Sequence, residues 1–257
     1  MQTDKTEFLE SNRRFGDIKY FIICDGKSGS MTLASSFRNS IHAHSTGYLW
    51  KKEPVLGAAR ITLREMQDHS REKFGRKPWV IFSVREPIGR TVSAFFQNMK
   101  QFVPKEELGN EEFVLAKLST LFLDLENYHI FDKNVYHDHI DGLDIYAQPF
   151  DVEKGYAVYE TERLRIMVLK FERIKEWQEL IPTLLLPDEQ DDFKYVPTNL
   201  SERKTNYAVQ QVVIQNFKPS PQDIYVKLDR HRLMLTHFYS TEEITNLRLK
   251  WTKKSIE

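Results

Sequence analysis

Three continuous apolar segments, rich in β-branched and aromatic residues, stand out along the chain, at residues 19–24, 78–85 and 165–171. Uninterrupted runs of this kind are typical of strands buried on both faces of a parallel sheet. The first two runs are each followed by a short polar stretch and then by apolar residues at helical spacing, the alternation of an α/β protein. The pattern predicts a single α/β domain over residues 1–257.

Shorter signals complete the series of expected elements. Amphipathic spacing predicts helices over about 55–73, 87–99, 111–125, 172–184, 207–217 and 241–251. Short strands are expected over 40–44, 144–150 and 156–159. Ser240 and Glu243 have the spacing of a capping box at the start of the last helix.

Composition limits the possible partners and compartment. The 257 residues include 37 Lys and Arg and 37 Asp and Glu, so the formal net charge is zero and no overall field attracts nucleic acid or an anionic membrane. The single cysteine, Cys24, rules out an intramolecular disulfide and any metal site built from several thiolates. No apolar run approaches the roughly 20 residues that span a bilayer, and the first residues lack a signal-peptide core. We expect a cytoplasmic protein with no membrane span and no nucleic-acid partner.

A polar loop directly after the first apolar run is the first candidate for ligand binding. Its residues are Lys27, Ser28, Gly29, Ser30, Met31 and Thr32. Glycine allows close backbone approach to a ligand, and successive N–H groups in such a loop form an anion-binding nest. The following helix N-terminus adds about half a positive charge, Lys27 adds a whole one, and three hydroxyls add donors. The loop is predicted to hold a phosphate or sulfate, against the alternative that it only caps the helix.

A Walker A loop is a second alternative, because Gly26-Lys27-Ser28 matches the end of that motif. The motif also requires a glycine five residues before Gly26, and Phe21 stands there. A P-loop-like kinase that uses ATP and Mg²⁺ therefore fits less well than a loop that begins with its lysine.

The end of the second apolar run carries a second anion-binding candidate. Arg85 ends the predicted strand, Pro87 suits the first turn of a helix, and Ser93 follows Arg85 by eight residues. Ligands of open α/β sheets bind beside the carboxyl ends of the strands, and a guanidinium can contact phosphate oxygens in a bidentate manner. The alternative is that Arg85 pairs with a carboxylate and Ser93 is a packing residue.

Together these two motifs resemble those of sulfotransferases that use 3′-phosphoadenosine-5′-phosphosulfate (PAPS). Residues 27–33 resemble the 5′-phosphosulfate loop, and residues 84–93 resemble the 3′-phosphate motif, in which an arginine precedes a proline and a serine follows the arginine by eight. Segments 131–133, 142–156 and 237–244 are similar to bacterial members assigned to capsular polysaccharide synthesis. Arg203 and Lys204 resemble the basic pair that holds the 3′-phosphate in cytosolic members, although the glycine-rich surround of that motif is missing.

The resemblance implies a P-loop NTPase-like fold, a three-layer α/β/α sandwich with a central parallel sheet. It implies PAPS as co-substrate, 3′-phosphoadenosine-5′-phosphate (PAP) as product, and a hydroxyl of a saccharide or polysaccharide as acceptor. In-line sulfuryl transfer demands no metal, and residues 137–141, with two histidines and two aspartates, are expected to form a solvated loop. A non-catalytic module that only binds the nucleotide remains an alternative.

An acceptor hydroxyl needs a general base, and histidine suits this role near neutral pH. His42 and His44 lie two apart on a predicted strand, so only one of them faces the site. We prefer His44 to His42, with Asp132 and Glu65 as carboxylate alternatives.

Overall fold

A computed structural model describes residues 16–43, 55–56, 59–60, 62–125, 140–198 and 207–253. The chain divides into two compact units, each described by itself below. Unit 1 comprises residues 1–84 and 133–198, and unit 2 comprises residues 85–132 and 199–257.

Most of the predicted helices and strands are present, but the two short strands at 55–56 and 59–60 and the two helices at 221–230 and 232–238 were not predicted. The strands, in chain order, are β1 (Tyr20–Ile22), β2 (Ser40–His42), β3 (Val55–Leu56), β4 (Ala59–Arg60), β5 (Trp79–Val84), β6 (Tyr156–Glu160) and β7 (Arg165–Lys170). The helices are α1 (Ser30–Ser36), α2 (Leu63–Phe74), α3 (Pro87–Gln97), α4 (Met99–Phe102), α5 (Glu111–Leu121), α6 (Trp177–Leu184), α7 (Tyr207–Asn216), α8 (Pro221–Arg230), α9 (Arg232–Phe238) and α10 (Thr241–Lys253). Within the described residues, no helix has the length and apolarity that crossing a membrane requires.

Unit 1 is built on a five-stranded sheet with the order β2-β1-β5-β7-β6. The first four strands in this order are parallel, and β6 pairs antiparallel with β7 at the edge. The expected α/β class with a mostly parallel central sheet flanked by helices is confirmed. β3 and β4 form a separate antiparallel pair.

The three predicted apolar runs became the three central strands because their side chains are buried on both faces. All six residues of β5 are buried, and so are all three of β1. On one face these strands pack under α1 and α6 in a single apolar cluster. Its buried members are Tyr20, Ile22, Cys24, Leu33, Phe37, Trp79, Ile81, Met167, Leu169, Trp177, Ile181 and Leu185.

The start of one expected helix and one expected strand are wrong, and local capping explains both. The helix expected from residue 55 begins at Leu63, because Thr62 and Glu65 form a capping box with Thr62 N donating to Glu65 Oε2 at 2.7 Å. The strand expected over 144–150 is a 3₁₀ turn at Ile145–Ala147, since the Asp144 carboxylate accepts from Tyr146 N at 3.0 Å. Short side-chain-to-backbone bonds of this kind compete with strand formation.

Unit 2 is helical in its described residues. The first turn of α3 begins with Pro87, as predicted, and the Ser240–Glu243 capping box at the start of α10 is present. Lys227, on α8, is fully buried and donates to the carbonyl oxygens of Phe122, at 3.2 Å, and of Leu125. These carbonyls lie in the turn after α5, so backbone acceptors there satisfy the buried ammonium group.

Candidate active site

The strand order identifies the sheet edge where a ligand is expected. β1 lies between β2 and β5, and the chain leaves β1 through α1 to reach β2 on one side. The chain that leaves β5 continues to β6 and β7, which lie on the other side of β5 in the sheet. Connections that depart in opposite directions from two adjacent strands mark a topological switch point, and open α/β sheets bind ligands outside the carboxyl ends of such strands. The candidate loop at residues 27–32 follows the carboxyl end of β1.

The loop has an unusual backbone at two positions. Lys27 has a φ of 71° and Gly29 a φ of 88°. Glycine adopts this left-handed region freely, but a lysine there is strained by roughly 1–2 kcal/mol. Strained residues of this kind are concentrated at functional sites. The expected order of strand, small-residue loop and helix is confirmed, with Gly29 as the N-cap residue of α1.

Ser83, on β5, fastens the loop to the sheet. Its fully buried hydroxyl donates to the carbonyl oxygen of Ser28 and lies 3.1 Å from Ser28 Oγ. The same hydroxyl lies 3.2 Å from Cys24 Sγ, which also accepts from Ser83 N at 3.2 Å. Ser83 is not among the residues predicted for the site, because its only signal in the sequence is a hydroxyl inside an otherwise apolar run.

Cys24 is a structural thiol. Complete burial raises the pKa of Cys24 to about 12, and the hydrogen bonds from Ser83 lower the pKa only in part. A reactive cysteine needs a thiolate near neutral pH, so this side chain serves the core.

Gly29 is required by packing inside the protein. A Cβ added at this position would lie 2.9 Å from Trp177 Cη2 and 3.1 Å from Phe171 Cδ2. The glycine is predicted to let the backbone approach a ligand closely, and the structure shows that it also lets the backbone approach two aromatic side chains under the loop.

The hydroxyls of the loop also have partners within unit 1. Ser28 Oγ donates to the Asp25 carbonyl oxygen at 2.6 Å. Thr32 Oγ1 accepts from Thr198 N at 3.3 Å and lies 3.4 Å from Thr198 Oγ1. Ser28, Ser30 and Thr32 are buried, whereas Met31 is 41% exposed. Ser28 and Thr32 therefore shape the loop in this structure.

Unit 2 contains the second candidate, which begins directly after the last residue of β5. A Cβ added at Gly89 would lie 3.4 Å from Arg85 Nη2, so the guanidinium lies against the first turn of α3. Ser93 follows Gly89 by four residues and shares its helix face. The structure thus brings Arg85 and Ser93 to one face of one helix. Both side chains are half-buried.

Glu86 occupies the N-terminus of α3. Its carboxylate accepts from Ile88 N and from Gly89 N, both at 2.8 Å. The same carboxylate would clash with a Cβ at position 89, which explains the glycine there. Because the first amides of α3 already bind a carboxylate, an anion beside this helix would have to be held by side chains.

The candidate general bases are described only in part. His42 is the last residue of β2, is buried, and pairs in register with Ile22 of β1. His44, Asp132 and residues 137–139 lie outside the described residues, as do Arg203 and Lys204. Glu65 already serves as the capping carboxylate of α2.

Asp141, expected in a solvated loop, is held by several partners. Thr161 Oγ1 and Arg163 Nη1 donate to its carboxylate at 2.9 and 2.8 Å. Burial by itself raises the pKa of Asp141, but these hydrogen bonds outweigh burial and hold the pKa below its usual range. Among the described residues, no three His, Cys, Asp or Glu side chains are grouped as metal ligands would be.

Comparison with known proteins identifies no relative: no family model matches, and no curated protein and no solved structure is significantly similar.

Proposed function

We propose that this chain is a PAPS-dependent sulfotransferase, with a hydroxyl, on a saccharide or polysaccharide, as acceptor. One observation carries the proposal. The two strands at the topological switch point, β1 and β5, lead into the two segments that resemble the donor-binding motifs: the loop at residues 27–32 begins five residues after the last residue of β1, and Arg85 directly follows β5.

The proposed roles follow from the charge of each group. Lys27 and the backbone of the loop bind the 5′-phosphosulfate, while Arg85 and Ser93 bind the 3′-phosphate. Support for the second assignment comes from the guanidinium against Gly89 and the hydroxyl one turn further along α3. Since Glu86 caps this helix, we assign the 3′-phosphate to side chains rather than to the helix terminus.

Transfer would proceed by in-line displacement at sulfur, by analogy with phosphoryl transfer. The acceptor oxygen forms a bond to sulfur while the bond between sulfur and the 5′-phosphate oxygen breaks, which releases PAP. The acceptor proton passes to a general base, His44 or His42. Lys27 stabilises the negative charge that develops on the leaving oxygen.

Nucleotide binding tests the proposal directly. We expect PAP without Mg²⁺ to raise the melting temperature of the protein and to bind more tightly than adenosine 5′-monophosphate, which lacks the 3′-phosphate. Stabilisation by ATP and Mg²⁺, with none by PAP, would refute the proposal in favour of a kinase. PAP binding without sulfuryl transfer to any saccharide in a broad panel would indicate the non-catalytic module.

Two variants test the residue roles separately. Arg85→Ala should reduce the preference for PAP over adenosine 5′-monophosphate by roughly 10- to 150-fold, the equivalent of ~1.5–3 kcal/mol for hydrogen bonds to a charged group. Lys27→Ala should weaken both nucleotides and abolish most transfer. Lys77→Ala is the matched control, because Lys77 precedes β5 at the opposite end of that strand and pairs with Glu160 at 2.6 Å.

A further inference from the structure

We infer that Trp177 is a positioning residue for the donor loop, residues 27–32. Its indole ring packs against the backbone at Gly29 and holds that part of the loop in place. The inference rests on the proposed function, since it concerns the loop to which we assign the 5′-phosphosulfate.

The contact is unusually close. Trp177 is the first residue of α6 and is completely buried. A Cβ at Gly29 would lie 2.9 Å from its Cη2 atom and 3.1 Å from its Cζ3 atom, both on the outer edge of the six-membered ring. Phe171 completes the support, with Cδ2 3.1 Å from the same point. A Cβ almost never approaches another atom so closely, so the loop occupies space that a glycine alone permits.

Burial of the Trp177 indole carries an energetic cost, because it buries an N–H donor. A buried tryptophan usually donates its N–H to an acceptor. Trp177 Nε1 is buried, and within the described part of the chain it has no hydrogen-bond partner. Phenylalanine would fill much of the same apolar space without burying a donor. The part of tryptophan that phenylalanine lacks is the outer ring edge that contacts Gly29, so that contact is what the larger side chain adds.

Trp177 and Ser83 hold adjacent parts of the loop. Ser83 binds the carbonyl oxygen of Ser28 from the sheet, and Trp177 supports the next residue from α6. Two successive backbone units are thereby fixed immediately after Lys27, whose own φ is positive. A loop fixed before the ligand arrives loses less conformational entropy on binding. Loosening it should therefore weaken donor affinity.

The first experiment compares PAP binding with thermal stability. Trp177→Phe should raise the Kd for PAP by about tenfold, the effect of ~1.4 kcal/mol. It should also speed amide hydrogen exchange at residues 28–30 in the ligand-free protein. Ile181→Ala is the matched control, because Ile181 lies on the same helix and in the same core cluster. That variant should lower the melting temperature at least as much but leave the Kd within about twofold.

A double-mutant cycle isolates the contact itself. Gly29→Ala should weaken PAP binding strongly, because the new methyl group strikes the indole and the backbone keeps its positive φ. Trp177→Phe added to Gly29→Ala removes the two indole atoms that the methyl group strikes and leaves only Phe171 Cδ2 nearby, so the double variant should bind PAP about tenfold better than Gly29→Ala alone. If the two residues acted independently, the double variant would instead lose as much PAP-binding free energy as the two single variants together.

The outcomes separate this inference from the proposed function. If the wild type does not bind PAP, both are wrong. If the wild type binds PAP but Trp177→Phe binds it equally well, the function stands and the positioning role is wrong. Equal loss of affinity in Ile181→Ala, or an additive cycle, would likewise overturn the positioning role.

Discussion

Replacing Ser83 by alanine measures how firmly the loop at residues 27–32 is held to the sheet. The hydroxyl is fully buried, donates to the Ser28 carbonyl oxygen and lies within 3.2 Å of both Ser28 Oγ and Cys24 Sγ. Its removal leaves a buried carbonyl without this donor, which typically costs about 1–3 kcal/mol. Ser83 N still donates to Cys24 Sγ in the variant, so the strand itself should remain in place.

We therefore expect Ser83→Ala to lower the free energy of unfolding by about 2 kcal/mol, or the melting temperature by roughly 4–8 °C. Urea unfolding followed by circular dichroism gives the first quantity, and differential scanning calorimetry gives the second. Ser119→Ala is the control, because its exposed hydroxyl bonds only within α5, to Leu115 O at 2.9 Å, and should change stability by less than about 0.5 kcal/mol. Equal stability of Ser83→Ala and the wild type would refute the assignment of Ser83 as the fastening residue.

Three further outcomes follow from the described contacts. Glu86→Ala should lower the free energy of unfolding by about 1–2 kcal/mol through loss of the α3 cap; a change below the error of urea unfolding would contradict this. Cys24 should stay unmodified by an aromatic disulfide reagent at pH 8 until denaturant is added, because burial raises the pKa of its thiol to about 12; rapid labelling of the folded protein would show that the thiol is accessible. Asp141 has a lowered pKa, so its carboxylate stabilises the fold above its unfolded pKa and loses that contribution as the pH falls through the folded pKa. Asp141→Asn should accordingly be less stable than the wild type at pH 7, and the difference should shrink toward pH 3; a difference independent of pH would contradict the carboxylate's role.

The central strands could be predicted because burial on both faces leaves a continuous apolar run. Residues 19–24, 78–85 and 165–171 contain β1, β5 and β7 within one or two residues at each end. The start of α2 could not be placed correctly, because the apolar spacing from residue 55 resembles a helix and the Thr62–Glu65 capping box decides the boundary locally.

The position of the candidate loop could also be predicted from the sequence, since a loop that follows a buried strand must lie at the sheet's carboxyl edge. The residues that hold the loop in place could not be predicted. Ser83 is 55 residues from Ser28, and Trp177 is further still from Gly29 along the chain. Contacts between such distant residues depend on strand register and helix packing, which periodicity does not specify. For the same reason the sequence does not predict that Gly29 also packs against aromatic side chains.

The placement of β7 bears on how the chain is made. β5 pairs with β1, which precedes it, and with β7, whose Arg165 lies opposite Trp79. A ribosome adds about 5–20 residues per second, so the 86 residues that follow Trp79, up to and including Arg165, take roughly 4–17 s to synthesise. Throughout that interval one edge of a strand that is completely buried in the folded protein has no partner strand. Nascent chains that stall between these two strands should thus be the form of this protein most prone to aggregate and most dependent on chaperones.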